Sequence, residues 1–220
     1  MSKVVYENPL AYESDIRDFI LEGKANISFD EGAMRIDSKN LSPEDQKDGC
    51  VLWCPVSFPS DVKIEWVFRP LEEPGLAMLF FAAKPIESGK DFFGSDMAER
   101  TGKYRQYYNG DINAYHISYF RRKEETERAF HLCNLRKSCG CNLVAQGADP
   151  IPDANPDSGW YEMRIIKNKD VITFLINDIV ILEYEDDGRT YGDYLTGGYV
   201  GFRQLSPMIA EYRDFRVTWL

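Results

Sequence analysis

From residue 50 onward, hydrophobic and polar positions alternate with a period of two over most of the chain. That period belongs to half-buried β-strands, not to helices. The runs that carry it are Cys50–Val56, Val62–Leu71, Gly75–Lys84, Ile112–Arg122, Arg128–Arg136, Tyr161–Lys167, Val171–Asn177, Ile179–Glu185, Gly198–Gln204 and Ala210–Trp219. Turn residues punctuate them at Pro74-Gly75, Asn109-Gly110, Asn177-Asp178, Asp187-Gly188 and Gly197-Gly198, where special backbone angles are needed. The strand after Trp160 is the cleanest, with Tyr161, Met163 and Ile165 on one face and Glu162 and Arg164 on the other. In the last strand Phe215, Val217 and Trp219 are expected to point inward. Tyr212 breaks that period by one residue and predicts a bulge.

About ten to twelve short strands separated by turn signals predict an all-β antiparallel sandwich or jelly roll. One short N-terminal helix is expected over Ser14–Glu22, with Ser14 as N-cap, Asp15 in the first turn and Gly23 as the stop. Two long polar segments, Pro85–Asp111 and Cys139–Gly159, read as loops. Loops of this length in a compact domain often carry function, and these two are expected to rim a groove. No linker or change in composition divides the chain, so residues 1–220 are read as one domain.

Charge then narrows the choice of partner. The 220 residues carry a formal charge of -10, which argues against nucleic acid as the ligand. Within this acidic chain, residues 100–137 hold nine Arg or Lys against four Asp or Glu, and six aromatic rings lie between Tyr104 and Phe120. Such a segment suits a small polar, anionic ligand. There is no apolar run long enough for a membrane helix, and Met1–Pro9 has no secretory pattern. With five cysteines, an odd number, these features predict a cytoplasmic protein with reduced, mostly buried thiols. The Cys spacings match no zinc motif. Asp149, Asp153, Asp157 and Asp214 are hard oxygen donors of the kind calcium takes, though in no recognised loop spacing. No cofactor is expected beyond that option of a structural calcium. The oligomeric state is left open.

The final third resembles the concanavalin A-like sandwich (laminin-G and glucanase-like). The resemblance rests on Trp160-Tyr161, the hairpin at Asn177, Gly197–Phe202 and the closing Tyr212–Val217. With Arg100–Tyr104, Tyr115–Arg122 and the upstream Asp18–Gly23 added, the whole chain is similar to the YesU-like family of bacterial concanavalin-like (jelly-roll) proteins. That resemblance implies a link to the breakdown of rhamnogalacturonan, a pectin rich in galacturonate. It carries over no catalytic residue.

The site residues are therefore read from this chain alone. His116 is the candidate proton-transfer residue because imidazole titrates near neutrality, with Tyr119 as a second. Arg100, Arg122, Arg136 and Arg203 are candidates for pairing with a uronate carboxylate. Tyr104, Tyr107, Gln106, His131, Asn134 and Gln204 complete the expected substrate-binding set. Each also has a purely structural reading: a hydrogen-bonded histidine, a salt-bridged arginine or a buried tyrosine anchor. The paired-carboxylate motif of glucanases, E-x-D-x-x-E, is absent, as are the common nucleophile, nucleotide and zinc-protease motifs. Two functions stay open: a lyase acting on uronate-containing oligosaccharides by β-elimination, and a non-catalytic, lectin-like sugar binder. An assembly protein using an exposed sheet is a third.

Overall fold

A computed structural model describes residues 3–42, 48–155, 157 and 159–220. Among them are fifteen strands in two antiparallel sheets. The first four, β1 (Lys3–Asn8), β2 (Ile20–Glu22), β3 (Asn26–Asp30) and β4 (Ala33–Asp37), precede the region where the alternation is clear. Then come β5 (Cys50–Trp53), β6 (Val62–Glu72), β7 (Leu76–Pro85), β8 (Ile112–Tyr119), β9 (Leu132–Lys137) and β10 (Asn142–Ala148). The chain ends with β11 (Tyr161–Asn168), β12 (Val171–Ile176), β13 (Ile179–Glu185), β14 (Tyr199–Leu205) and β15 (Ile209–Trp219). Two short helices, α1 (Arg105–Tyr108) and α2 (Glu125–Phe130), lie in connections of the second sheet.

The first sheet runs β13-β12-β11-β6-β15-β4-β3, with β1 also paired to β15, and the second runs β10-β9-β8-β7-β14-β5-β2. Their facing sides form the main core, where Trp66, Phe68, Phe174, Phe202, Tyr212 and Phe215 are buried together. The alternation in β6 explains its place: Val62, Ile64, Trp66 and Phe68 point inward, and Lys63, Glu65 and Val67 outward. One open side of the sandwich is closed by β10 against β13. A Cβ on Gly147 would stand 2.0 Å from the Ile181 carbonyl oxygen, so only glycine permits that approach.

The structure is the all-β sandwich expected from the pattern, with local corrections. The N-terminal helix is reduced to a single 3-10 turn at Glu13–Ile16, where the Asp15 carboxylate accepts from the Ala11 and Tyr12 amides. Ile20–Glu22 pairs with β5 instead of continuing the helix. The segment Cys139–Gly159 is not one loop, because Asn142–Ala148 forms the edge strand β10. Residues 128–130, expected as the start of a strand, instead close α2 (Glu125–Phe130). The bulge in β15 falls between Arg213 and Arg216. Trp219, expected inward, is 51% exposed. Of the five free cysteines, Cys50, Cys54 and Cys133 are buried and Cys139 is exposed. No helix among the described residues is long and apolar enough to cross a membrane.

Candidate functional site

Register places the polar residues of the second sheet on its outer face, away from the core. His116 on β8 lies between Phe80 on β7 and Arg136 on β9, and Ser118 lies between Met78 and Asn134. Arg203 on β14 stands opposite Met78, and Gln146 on β10 opposite Asn134. The result is a band of polar groups across adjacent strands.

Half of that band is covered. The loop between β7 and β8 folds back over the outer face and builds a second apolar cluster from Phe92 and Tyr107 against Trp53, Met78, Phe80 and Ala114. Tyr107 is fully buried, 5.3 Å from the Phe80 ring, and its hydroxyl accepts from the Gly102 amide at 3.2 Å. Gln106 stabilises the loop by accepting from the Thr101 and Lys103 amides. Arg100 ties the loop to β2 through Glu22 at 2.8 Å and to the Phe92 carbonyl at 3.0 Å. Arg203 lies under the loop with its guanidinium 5.3 Å from both the Tyr104 and Tyr107 rings, donating to the Gly102 carbonyl at 2.8 Å. These arginines hold the cover down.

His116 is sealed beneath it with no exposed surface. Its Nε2 is 2.7 Å from the Tyr104 hydroxyl, and its Nδ1 has no partner. Burial, reinforced by the positive charges of Arg136 and Arg203, drives its pKa down to about 3. The imidazole is thus neutral near pH 7 and shares a single hydrogen bond, through Nε2, with the Tyr104 hydroxyl. Tyr104 is correspondingly pushed far above the usual phenol range by desolvation. A pair that neither gains nor loses a proton near neutrality is a poor acid–base couple.

Other expected site residues are structural. Tyr119 points into the core between the sheets, where its hydroxyl accepts from Trp66 Nε1 at 3.1 Å. Gln204 joins the sheets, with Nε2 donating to the Ile36 and Met208 carbonyls and Oε1 accepting from Tyr212. Arg122 has no exposed surface. It pairs with the equally buried Asp149 at 3.0 Å, donates to the Ile151 carbonyl at 2.7 Å and approaches His131 Nδ1 at 3.2 Å. His131 sits in the left-handed backbone position that ends α2 (φ 48°), with Asp153 3.6 Å from its Nε2. Of the four aspartates weighed for calcium, Asp149 and Asp153 both face Arg122, and Asp214 lies on the first sheet at the β15 bulge. Among the described residues no three His, Cys, Asp or Glu side chains cluster as metal ligands.

The open half of the band is a groove of about 280 Å³ between α2 and the β9–β10 edge. Arg121, Phe130, Asn134, Arg136 and Gln146 line it, with Glu127 on the helix side. Two of these, Asn134 and Arg136, belong to the residues expected from sequence. The Asn134 and Gln146 side-chain amides stand 2.8 Å apart, and the Asn134 oxygen accepts from Arg121 at 2.9 Å, so the two amides form one unit held by that arginine. Arg136 donates through one nitrogen to the Cys141 carbonyl at 2.7 Å, and no carboxylate pairs with it among the described residues. Glu127 is fully engaged: it accepts from Arg121 at 2.6 Å and from the Lys123 and Glu124 amides in the cap of α2. The groove therefore carries a net positive charge, two amides and no free acid–base group. Phe130, 69% exposed at the end of α2, forms an apolar wall. Sequence reasoning missed Arg121, Phe130 and Gln146. The available signal was Phe130 itself, a lone aromatic closing a run of charges from Arg121 to Arg128.

Residues 3–217 match a family described as Domain of unknown function (DUF1961). The chain is 49% identical over 213 residues to the uncharacterized protein YesU of Bacillus subtilis (strain 168), covering 97% of this chain and 94% of that one. It is also similar to a crystal structure from Bacillus subtilis of a protein of unknown function with galectin-like fold. That similarity has a TM-score of 0.90 and 48% identity and covers 99% and 97% of the two chains. A carbohydrate binding module, CBM66 from Bacillus subtilis, superposes with a TM-score of 0.57 at 12% identity over 90% of this chain and 94% of the module. At that identity the likeness is one of fold alone.

Proposed function

The chain belongs to the DUF1961 family, and we propose that it is a glycan-binding protein that holds an anionic oligosaccharide in the groove between α2 and β9–β10 without cleaving it. The observation that carries this reading is Arg136, a partly exposed guanidinium without a carboxylate partner among the described residues, set beside the Asn134–Gln146 amide pair and the Phe130 ring. Each part has a role in sugar recognition. Arg136 pairs with a carboxylate through its unused nitrogens at about 2.7–2.9 Å. The amides exchange hydrogen bonds with ring hydroxyls. Phe130 offers a flat apolar surface to the C–H face of a pyranose. The shared fold with a carbohydrate binding module supports the same direction.

The proposed ligand is a uronate-containing oligosaccharide of the pectic type, the class implied by the family resemblance. Binding is favoured over β-elimination because the imidazole that would take the proton is sealed under the loop, and Glu127 in the groove is committed to Arg121 and to the cap of α2. Isothermal titration calorimetry with oligogalacturonates tests the proposal. Saturable binding that weakens with added salt is expected, with no rise in absorbance from an unsaturated product. Arg136→Gln should lose about 1.5–3 kcal/mol, the range for hydrogen bonds to charged groups. Turnover, or binding unchanged by Arg136→Gln, would sink the reading.

A further inference from the structure

The five cysteines divide by their place in the fold. Cys50, Cys54 and Cys133 have no exposed surface, and burial pushes their thiols up, to about 11 for Cys50 and Cys54. Such thiols are inert, because the thiolate is the reactive form. The other two, Cys139 and Cys141, both reach the surface, and they do so in a single turn, the connection from β9 to β10. Cys139 is exposed and Cys141 partly so. Neither side chain lines the groove.

The turn keeps the two thiols close together. Gly140 between them adopts φ 89°, a bend that glycine takes without strain. Asn142 Nδ2 closes the bend by donating to the Lys137 carbonyl at 3.2 Å and the Cys139 carbonyl at 2.8 Å. Ser138 Oγ donates to the Tyr107 carbonyl at 3.2 Å and the Gly140 amide to the Tyr108 carbonyl at 2.6 Å, which clamps the turn to α1. Both sulfurs lie against that helix. Cys139 Sγ stands 4.0 Å from Asn109 Oδ1 at its end, and Cys141 Sγ 3.5 Å from the Tyr104 hydroxyl at its start. Residues two apart have Cα atoms at most about 7 Å apart, even in an extended chain. A bend brings them into the range of about 4.4–6.8 Å that a disulfide spans. Sulfur is a weak hydrogen-bonding group, so turning the two side chains toward each other costs little.

We propose that Cys139-Gly140-Cys141 is a dithiol–disulfide site whose co-substrate is a low-molecular-weight disulfide, and that its oxidation draws Cys141 away from Tyr104 and shifts the carbonyl that holds Arg136. The exposed Cys139 thiolate attacks the small disulfide, forming a mixed disulfide and releasing one small thiol. The Cys141 thiolate then attacks Cys139 Sγ, which closes the internal bond and releases the second. Two protein thiols are oxidised, one small disulfide is reduced to two small thiols, and the two protons pass from the cysteines to the leaving sulfurs. Excess small thiol runs the same steps backward, as suits an exposed disulfide. Arg136 is coupled because it donates to the Cys141 carbonyl at 2.7 Å. Tyr104 is coupled because its hydroxyl lies between Cys141 Sγ and His116 Nε2. The site stands whether or not the groove binds a uronate.

The test places the full, reduced chain in glutathione buffers running from fully reduced to fully oxidised, followed by alkylation and peptide mass mapping. On oxidation the peptide holding residues 139–141 should lose two hydrogens and both alkylation sites, reversibly with dithiothreitol, while Cys50, Cys54 and Cys133 stay free. Cys141→Ser should stop at a glutathione adduct on Cys139. Cys139→Ser, at an exposed position that leaves folding intact, should slow the loss of the Cys141 thiol at least about tenfold, because the exposed thiol reacts first. In NMR spectra the side-chain resonances of Tyr104 and Arg136 should differ between the reduced and oxidised proteins. Free thiols at both positions in fully oxidised buffer overturn the proposal. So does a lasting adduct on Cys139 of the parent protein with no internal bond, or an internal bond that leaves Tyr104 and Arg136 unmoved.

Discussion

A buried imidazole whose pKa lies near 3 instead of 6.5 makes the stability of the protein depend on pH in a calculable way. Between those two values the unfolded chain binds a proton at His116 that the folded chain does not. Falling pH therefore favours unfolding, and the stability present above about pH 6.5 is lost as pH drops toward 3. From pH 7 to pH 5 the two-state linkage gives about 1.4 logarithmic units, or about 2 kcal/mol, from this one residue. With a urea m-value of about 3 kcal/mol/M, that shifts the midpoint by about 0.7 M. His116→Gln removes the titration and keeps an oxygen that can accept from Tyr104. Glu22 and Asp149, whose pKa values are raised chiefly by burial, titrate in both proteins and cancel in the comparison. Urea unfolding at the two pH values should show the loss in the parent protein to be larger than in the variant by about 2 kcal/mol. Equal pH dependence in the two proteins would refute the sealed, neutral imidazole and return His116 to the candidates for proton transfer.

Three other perturbations separate structural residues from the groove. Arg122→Met leaves Asp149 buried and unpaired, and should cost about 3–5 kcal/mol, read as a drop of roughly 6–20 °C in Tm by calorimetry; a drop of under about 2 °C would contradict the buried pair. Tyr107→Ala opens the apolar cluster under the loop and should cost about 3–5 kcal/mol by urea unfolding, as large aromatic truncations do; unchanged stability would mean that the loop does not pack as described. Phe130→Ala, at an exposed ring, should alter stability by less than about 0.5 kcal/mol while weakening oligogalacturonate binding by about tenfold or more in calorimetry; unchanged affinity would remove the ring from the site.

The fold was legible where one side of a strand meets water. Tyr161–Lys167 alternates because Met163 and Ile165 enter the core while Glu162 and Arg164 stay outside. It was less legible where both sides are covered. β7 reads Leu-Ala-Met-Leu-Phe-Phe-Ala-Ala, an unbroken apolar run, because Met78 and Phe80 are buried under the loop as fully as Leu79 and Phe81 are in the core. The short strands β1 to β4 and the small-residue edge β10 gave too little periodic signal to be recognised. The site suffered from the same cover. Arg100, Tyr104, Tyr107 and Arg203 have the residue types of a ligand site, but nothing in the sequence says that Pro85–Asp111 folds over the sheet and turns them inward. Asn134 and Arg136 stay groove residues because the loop meets this edge at the 138–141 turn and leaves the groove beside α2 open, and the sequence offered no means of telling them from the others.

The central claim is that an anionic glycan is held at the β9–β10 end of the second sheet, and its most direct test is to map the bound ligand on the protein. In a backbone and side-chain NMR titration with oligogalacturonate, the account predicts saturable shifts at Arg121, Phe130, Asn134, Arg136 and Gln146, with His116 unmoved. Shifts centred on His116 and the loop above it, or no saturable shift at the groove, would contradict it.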